Sequence, residues 1–144
     1  MSSDIPATIR DQVRETAEGR CAYCRTPEEL TVTTFEIDHL VPASAGGATV
    51  LENLCLSCPT CNRHKSTRQS ALDPQTGRTV PLFHPRQQNW ATHFAWSDDA
   101  TRIVGLTPTG RATVEALQMN RPRMIRLRRL WLQMGKHPGQ AEKA

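Results

Sequence analysis

The sequence predicts an α+β fold. Two short antiparallel strands lead into a helix, with a helix before this core and a basic, helix-ended extension after it. Three observations carry the prediction. Two C-x-x-C pairs, Cys21/Cys24 and Cys58/Cys61, are separated by 33 residues that include strand-like sequence. Apolar residues at helical spacing concentrate toward the two ends of the chain. Ten Pro and eight Gly punctuate the rest into turns. A length of 144 residues fits one compact domain or a small domain with an appendage. We divide it into a core at residues 1–72 and a loop-and-helix extension at 73–144 packed on it. Apolar residues make up 38% and aromatics are few, so the hydrophobic core is thin and a metal staple would help it.

Each element follows from local pattern. Ile5, Ile9, Val13, Thr16 and Ala17 share one face of a helix over 5–19, which Gly19 ends. The first cysteine pair sits on the next turn. Thr33, Phe35 and Ile37 alternate with Val32, Thr34 and Glu36, which reads as a strand over Thr31–Ile37. Asp38-His39-Leu40-Val41 closes it, and Pro42 with Gly46-Gly47 makes a loop. Leu51–Leu56 is the antiparallel partner, Cys58–Cys61 a knuckle, and Asn62 to about Ala71 a helix that stops before Pro74. Within the turn-rich stretch 73–108, Val80–Phe83, His93–Trp96 and Arg102–Leu106 read as short strands or irregular loops. Thr109 caps a helix to about Met119, and Asn120 with Pro122 starts another that runs to Met134 and Gly135. Residues 136–144 read as a frayed tail, and no internal repeat occurs.

Composition excludes some classes. No apolar run approaches the ~18–20 residues that span a bilayer. The first residues lack the basic and apolar regions of a signal peptide, so we expect a cytoplasmic protein without a membrane anchor. Net charge is +4 but uneven: residues 1–72 carry seven Lys/Arg against nine Asp/Glu, and residues 73–144 eleven against five. A basic half of this kind suits a polyanion.

Five cysteines cannot all pair as intramolecular disulfides. Two C-x-x-C pairs in a cytosolic chain read as a zinc site, and a redox role would need a βαβ context that is absent. Four cysteine ligands close the site, which makes it structural. Cys55 reads as a buried small hydrophobe.

Chemistry concentrates between residues 36 and 65. Asp38-His39 stands at a strand end, Asn53 follows fourteen residues after His39, and Cys58-Pro59-Thr60-Cys61-Asn62-Arg63-His64-Lys65 completes the set. Each alone is ordinary, but their order between the cysteine pairs is specific. Asp38 and Asn62 offer hard oxygens, which suit Mg²⁺ or Mn²⁺ better than zinc. Histidine is the side chain that ordinarily titrates near neutrality, as a general base requires. Neighbouring strand residues point to opposite faces, so Asp38 and His39 share a site only if the chain bends there. A backbone carbonyl at Nδ1 is the expected partner that fixes the His39 tautomer.

With these residues, the chain over about 5–70 resembles the HNH endonuclease family, whose fold is the ββα-metal motif closed by a zinc knuckle. Asn62 stands where the family name has a second His, which makes this an HNN variant. The resemblance implies that His39 is the general base and that Asp38 and Asn62 hold a catalytic divalent metal. It also implies that Asn53 holds the loop that orients His39. Cys21, Cys24, Cys58 and Cys61 then hold structural Zn²⁺. Lys65 matches a position usually basic in the family. Phe83-His84-Pro85-Arg86, Trp90, His93-Phe94 and Gly110-Arg111-Ala112-Thr113 resemble the extension of small bacterial and phage members.

Candidate DNA contacts are Arg63, Lys65 and Arg68 on the knuckle helix, and Arg86 with His84 and His93 beyond it. Arg126 and Arg129 belong to a last helix that also carries Arg121, Arg123, Arg128 and, just past its end, Lys136. Met124, Leu127 and Trp131 form its apolar stripe, read as core. The expected function is metal-dependent hydrolysis of DNA phosphodiesters. A non-catalytic zinc-stabilised DNA-binding module and an RNase using the same site are the alternatives. Oligomeric state is left open.

Overall fold

A computed structural model describes residues 5–139; the last part of the expected tail, 140–144, lies outside the described residues. Helix α1 (Ala7–Thr16) ends through Gly19 in the left-handed region and buries Val13, with Ile5 just before it buried in the same core and Ile9 and Ala17 packed against it. Thr16, expected on that face, is exposed, because the helix ends there.

The first strand is shorter than expected. β1 is Glu36–His39, and Thr31–Phe35 is irregular. Glu28 prevents the extension: its carboxylate accepts the Phe35 backbone N–H at 2.6 Å and pairs with Arg14. The second strand, β2, is Leu54–Ser57, because Leu51–Asn53 folds into a 3₁₀ turn. The pair is antiparallel, with Ile37 opposite Leu56, Asp38 opposite Cys55 and His39 opposite Leu54.

Helix α2 (Pro59–Lys65) starts with Pro59 at its first turn, where no N–H is needed, and the Cys58 sulfur accepts the Cys61 N–H at 3.4 Å. It ends at Ser66, whose φ of +54° takes the chain out of the helix, and not near Ala71. Ser70–Leu72 is instead β3, paired antiparallel with β4 (Thr79–Pro81). The expected division at residue 72 therefore falls inside a hairpin. A single apolar core also runs from Ile5 to Met119 across it.

A short helix α3 (Trp90–His93) leads into β5 (Phe94–Trp96), paired with β6 (Ile103–Gly105). Helix α4 (Pro108–Ala116) is capped by Thr107, whose hydroxyl accepts the Gly110 N–H, and not by Thr109. Helix α5 (Pro122–Gln133) has Pro122 in its first turn and ends before Gly135. Asn120 does not cap it. Its carboxamide instead bonds both the N–H and the carbonyl of Ile103 at 2.8 Å. The Trp90 indole donates to the Tyr23 carbonyl at 2.8 Å, which pins the later half of the chain onto the first cysteine turn. No helix among the described residues is long and apolar enough to cross a membrane.

Candidate functional site

Four thiols come first in the site's construction. Cys21 and Cys24 lie on a turn whose Ala22 N–H donates to Leu56 of β2, and Cys58 and Cys61 open α2. All four sulfurs lie within 4.8 Å of one another and are buried. Cys24 and Cys58 sulfurs are 3.8 Å apart. A tetrahedron with Zn–S bonds of ~2.3 Å has edges of about 3.8 Å, so the cluster fits zinc with no position left open. The surrounding thiols hold Cys24 below the usual thiol range, while burial raises Cys21. Cys55 stays outside the cluster, beside the Tyr23 hydroxyl, and burial pushes its thiol up.

Two residue pairs join β1 to α2. Glu36 and Asp38 share one strand face, and Asn62 and Lys65 are three apart on the helix. The Asn62 amide donates to Glu36 Oε1 at 2.7 Å. Lys65 Nζ lies 3.1 Å from Asp38 Oδ2 and 3.5 Å from the His39 carbonyl. Asp38 is buried, and the Tyr23 hydroxyl donates to the same Oδ2 at 3.3 Å. Burial raises the Asp38 carboxyl above the usual range, against the pull of Lys65, Tyr23 and His39.

The loop after β1 is clasped by one side chain. Asn53 Oδ1 accepts the Val41 N–H at 2.8 Å, and its Nδ2 donates to the carbonyls of Val41 and Ala48 at 3.0 and 2.9 Å. Gly47 permits this closure, since a Cβ there would overlap the Val41 carbonyl and crowd the Asn53 amide. His39 Nε2 sits 2.9 Å from the Thr49 hydroxyl at the loop's mouth. No backbone carbonyl holds its ring among the described residues; Thr49 is its hydrogen-bond partner.

The structure also gives the expected residues partners that the sequence did not suggest. Asp38 meets Lys65, and Asn62 meets Glu36. Strand pairing runs through His39 and ends there, and the chain bends at Leu40 and Val41 before Pro42, so the bend that a shared Asp38–His39 site requires follows directly on the strand. Lys65 is 2% exposed and its ammonium is held by Asp38, which removes it from the accessible cationic surface. Arg68 lies beyond the end of α2 and donates to the His64 and Ala116 carbonyls. Arg63, Arg126 and Arg129 are exposed, and Arg86 is half-buried. His93 Nδ1 bonds the Thr107 hydroxyl at 2.6 Å, and the ring packs on Phe83. Arg128 leaves the expected basic face altogether. It is 1% exposed and donates to the Thr101 and Met119 carbonyls and to Asn120 Oδ1. Leu127, expected in the apolar stripe, is half-buried, while Met124, Ile125 and Trp131 are buried.

Glu36, Tyr23 and Thr49 were missed as site neighbours. Strand alternation two residues before Asp38 was the available signal for Glu36; the other two come close only through the fold.

A strand–strand–helix unit with a four-cysteine knuckle and a clasped Asp-His loop defines a class of small metal-stapled domains. Residues 21–68, a third of the chain, match the family model of HNH endonucleases. Comparison with curated proteins gave no match.

Proposed function

We propose that this protein is a metal-dependent endonuclease that hydrolyses DNA phosphodiester bonds at the end of β1. The observation that carries the reading is the three-bond Asn53 clasp on Val41 and Ala48, which fixes the loop beginning at His39. Such a clasp costs conformational freedom that a generic turn has no reason to lose, and it presents one imidazole in a set orientation. In this reading His39 takes a proton from water as the water oxygen bonds to phosphorus. The bond from phosphorus to the leaving 3′-oxygen breaks, and that oxygen gains a proton from solvent. Asn53 is a positioning residue and touches no substrate.

Asp38 and Asn62 are the residues that would hold Mg²⁺ or Mn²⁺. The donors fit a hard cation: Asp38 Oδ1 and Asn62 Oδ1 have no hydrogen-bond partner among the described residues, and the Glu36 carboxylate adjoins Asn62. A divalent cation there supplies charge neutralisation at the phosphate and at the leaving oxygen. Zinc at the four cysteines holds α2 against the turn before β1. The exposed Arg126 and Arg129 offer a sequence-independent surface for the DNA backbone, and residues 73–144 serve as the extension that carries it. Free thiols in the knuckle suit a reducing cytoplasm.

One observation favours a second reading. Lys65 already neutralises Asp38, as it would in a zinc-stabilised module that binds DNA without cutting it. Supercoiled plasmid incubated with EDTA, Mg²⁺ or Mn²⁺ decides between them, beside His39→Ala. Metal-dependent open-circle or linear product that the variant fails to make supports the nuclease. Plasmid bound but uncut under every metal supports the module, and faster cleavage of a matched RNA supports an RNase.

A further inference from the structure

A cleft of about 350 Å³ opens beside the loop that His39 begins. Its walls are Leu40 and Val41 on one side, Lys65 and Arg68 at the end of α2, and the 81–88 segment opposite. The volume lies at the small end of ligand-sized cavities, roughly 300–1,000 Å³, which gives room for one nucleotide and none for a duplex.

The lining chemistry selects among ligands. Both cations are already engaged, Lys65 by Asp38 and Arg68 by the Lys65, His64 and Ala116 carbonyls. Leu40, Leu82 and Phe83 make the floor apolar. Carboxamides line the rest. Gln69 and Gln87 are exposed, with no side-chain hydrogen bond among the described residues, and Gln88 uses only its oxygen, on the His84 N–H at 2.9 Å. The Gln87 backbone N–H donates to His84 Nδ1 at 3.2 Å, which leaves the imidazole proton on Nε2 as a donor. Burial lowers the His84 pKa, with Lys65 and Arg86 acting in the same direction. A site for phosphate alone needs free cations or converging N–H groups. An apolar floor rimmed by groups that both donate and accept matches a flat heterocycle with a polar edge.

We propose that this cleft is a nucleobase pocket that takes one unpaired base of the strand crossing His39. A paired base has its Watson–Crick edge occupied, so the occupant is flipped, bulged or single-stranded. The identity of the strand rests on the nuclease reading, whereas the pocket's chemistry does not.

The test is a titration of zinc-loaded, ¹⁵N-labelled full chain, followed by the Gln side-chain amides and the Val41 backbone amide. The probes are dAMP, dCMP, deoxyribose 5-phosphate and inorganic phosphate. With either nucleotide, the amides of Gln69, Gln87 and Gln88 and of Val41 shift together. The sugar phosphate and inorganic phosphate leave them in place. Gln87→Ala, at an exposed position that the fold tolerates, weakens nucleotide binding about tenfold with an unchanged melting curve. Equal shifts with inorganic phosphate identify an anion cradle and overturn the proposal, as does the absence of any shift. No cleavage is needed. A protein that leaves plasmid intact yet shows these shifts removes the nuclease reading and keeps the pocket.

Discussion

Residues 21–68 and the segment from Ser70 onward close their interiors by different chemistry. The first gathers four thiols within 4.8 Å at two turns, and beside them one buried carboxylate meets one buried ammonium. The second has no comparable ligand cluster among the described residues and relies on guanidinium groups. Arg128 reaches the Thr101 and Met119 carbonyls, and Arg111 forks onto both oxygens of the buried Asp73 at 3.0 Å. A tetrahedral ion demands short, regular ligand spacing, and so leaves a mark in the sequence. A buried arginine satisfies whatever carbonyls the fold brings to it, here partners 27 and 38 residues away for Arg128 and Arg111.

The sharpest way to break this comparison is to remove a thiol. Cys58→Ser, or chelation of the wild type, is expected to unfold the core with loss of bound zinc, read by metal analysis and circular dichroism. Structural zinc contributes on the order of 10–16 kcal/mol in small modules, as much as a whole domain's stability of about 5–15 kcal/mol. A folded, zinc-replete variant would remove Cys58 from the ligand set. Next in size is His39→Ala, expected to lower plasmid cleavage roughly 10²–10⁴-fold while the melting curve barely moves. Cleavage at the wild-type rate would end the general-base assignment.

In the guanidinium-held segment, Arg128→Met leaves the Thr101 and Met119 carbonyls without this donor and should cost about 3 kcal/mol in urea unfolding. The neighbouring Arg129→Ala should stay within about 0.5 kcal/mol, because that side chain is exposed. Equal costs would show that Arg128's burial matters little.

Acid sharpens the comparison further. Arg111 holds the Asp73 carboxyl well below the usual range, helped by Thr76 and the Gln75 N–H. Stability from this pair is complete above the unfolded carboxyl value of ~3.9 and is lost as pH falls through the folded one. Arg111→Ala should therefore move acid unfolding, followed by circular dichroism, to higher pH. An unmoved midpoint would make the fork incidental. The smallest expected effect is Arg126→Ala, which should lower the salt slope of DNA binding by about one. An unchanged slope would place the DNA elsewhere.

The sequence alone was enough for the knuckle and the helix–strand–strand–helix order, because spacing and alternation are local properties. It misplaced the ends of elements. The strand over Thr31–Ile37 began at Glu36 because Glu28 captured Phe35, and the helix from Asn62 stopped at Ser66 on a left-handed residue that propensity does not announce. Only the tertiary structure decided which charges face water. Lys65 and Arg128 look like surface cations in a basic sequence, yet each is buried against acceptors supplied by a distant segment. It also decided that Asp38 meets Lys65 while Asn62 meets Glu36, since strand and helix faces are set by docking and not by order along the chain. Ligand spacing and backbone periodicity are written over a few residues. Burial and pairing depend on three-dimensional neighbours, which no short stretch of sequence contains.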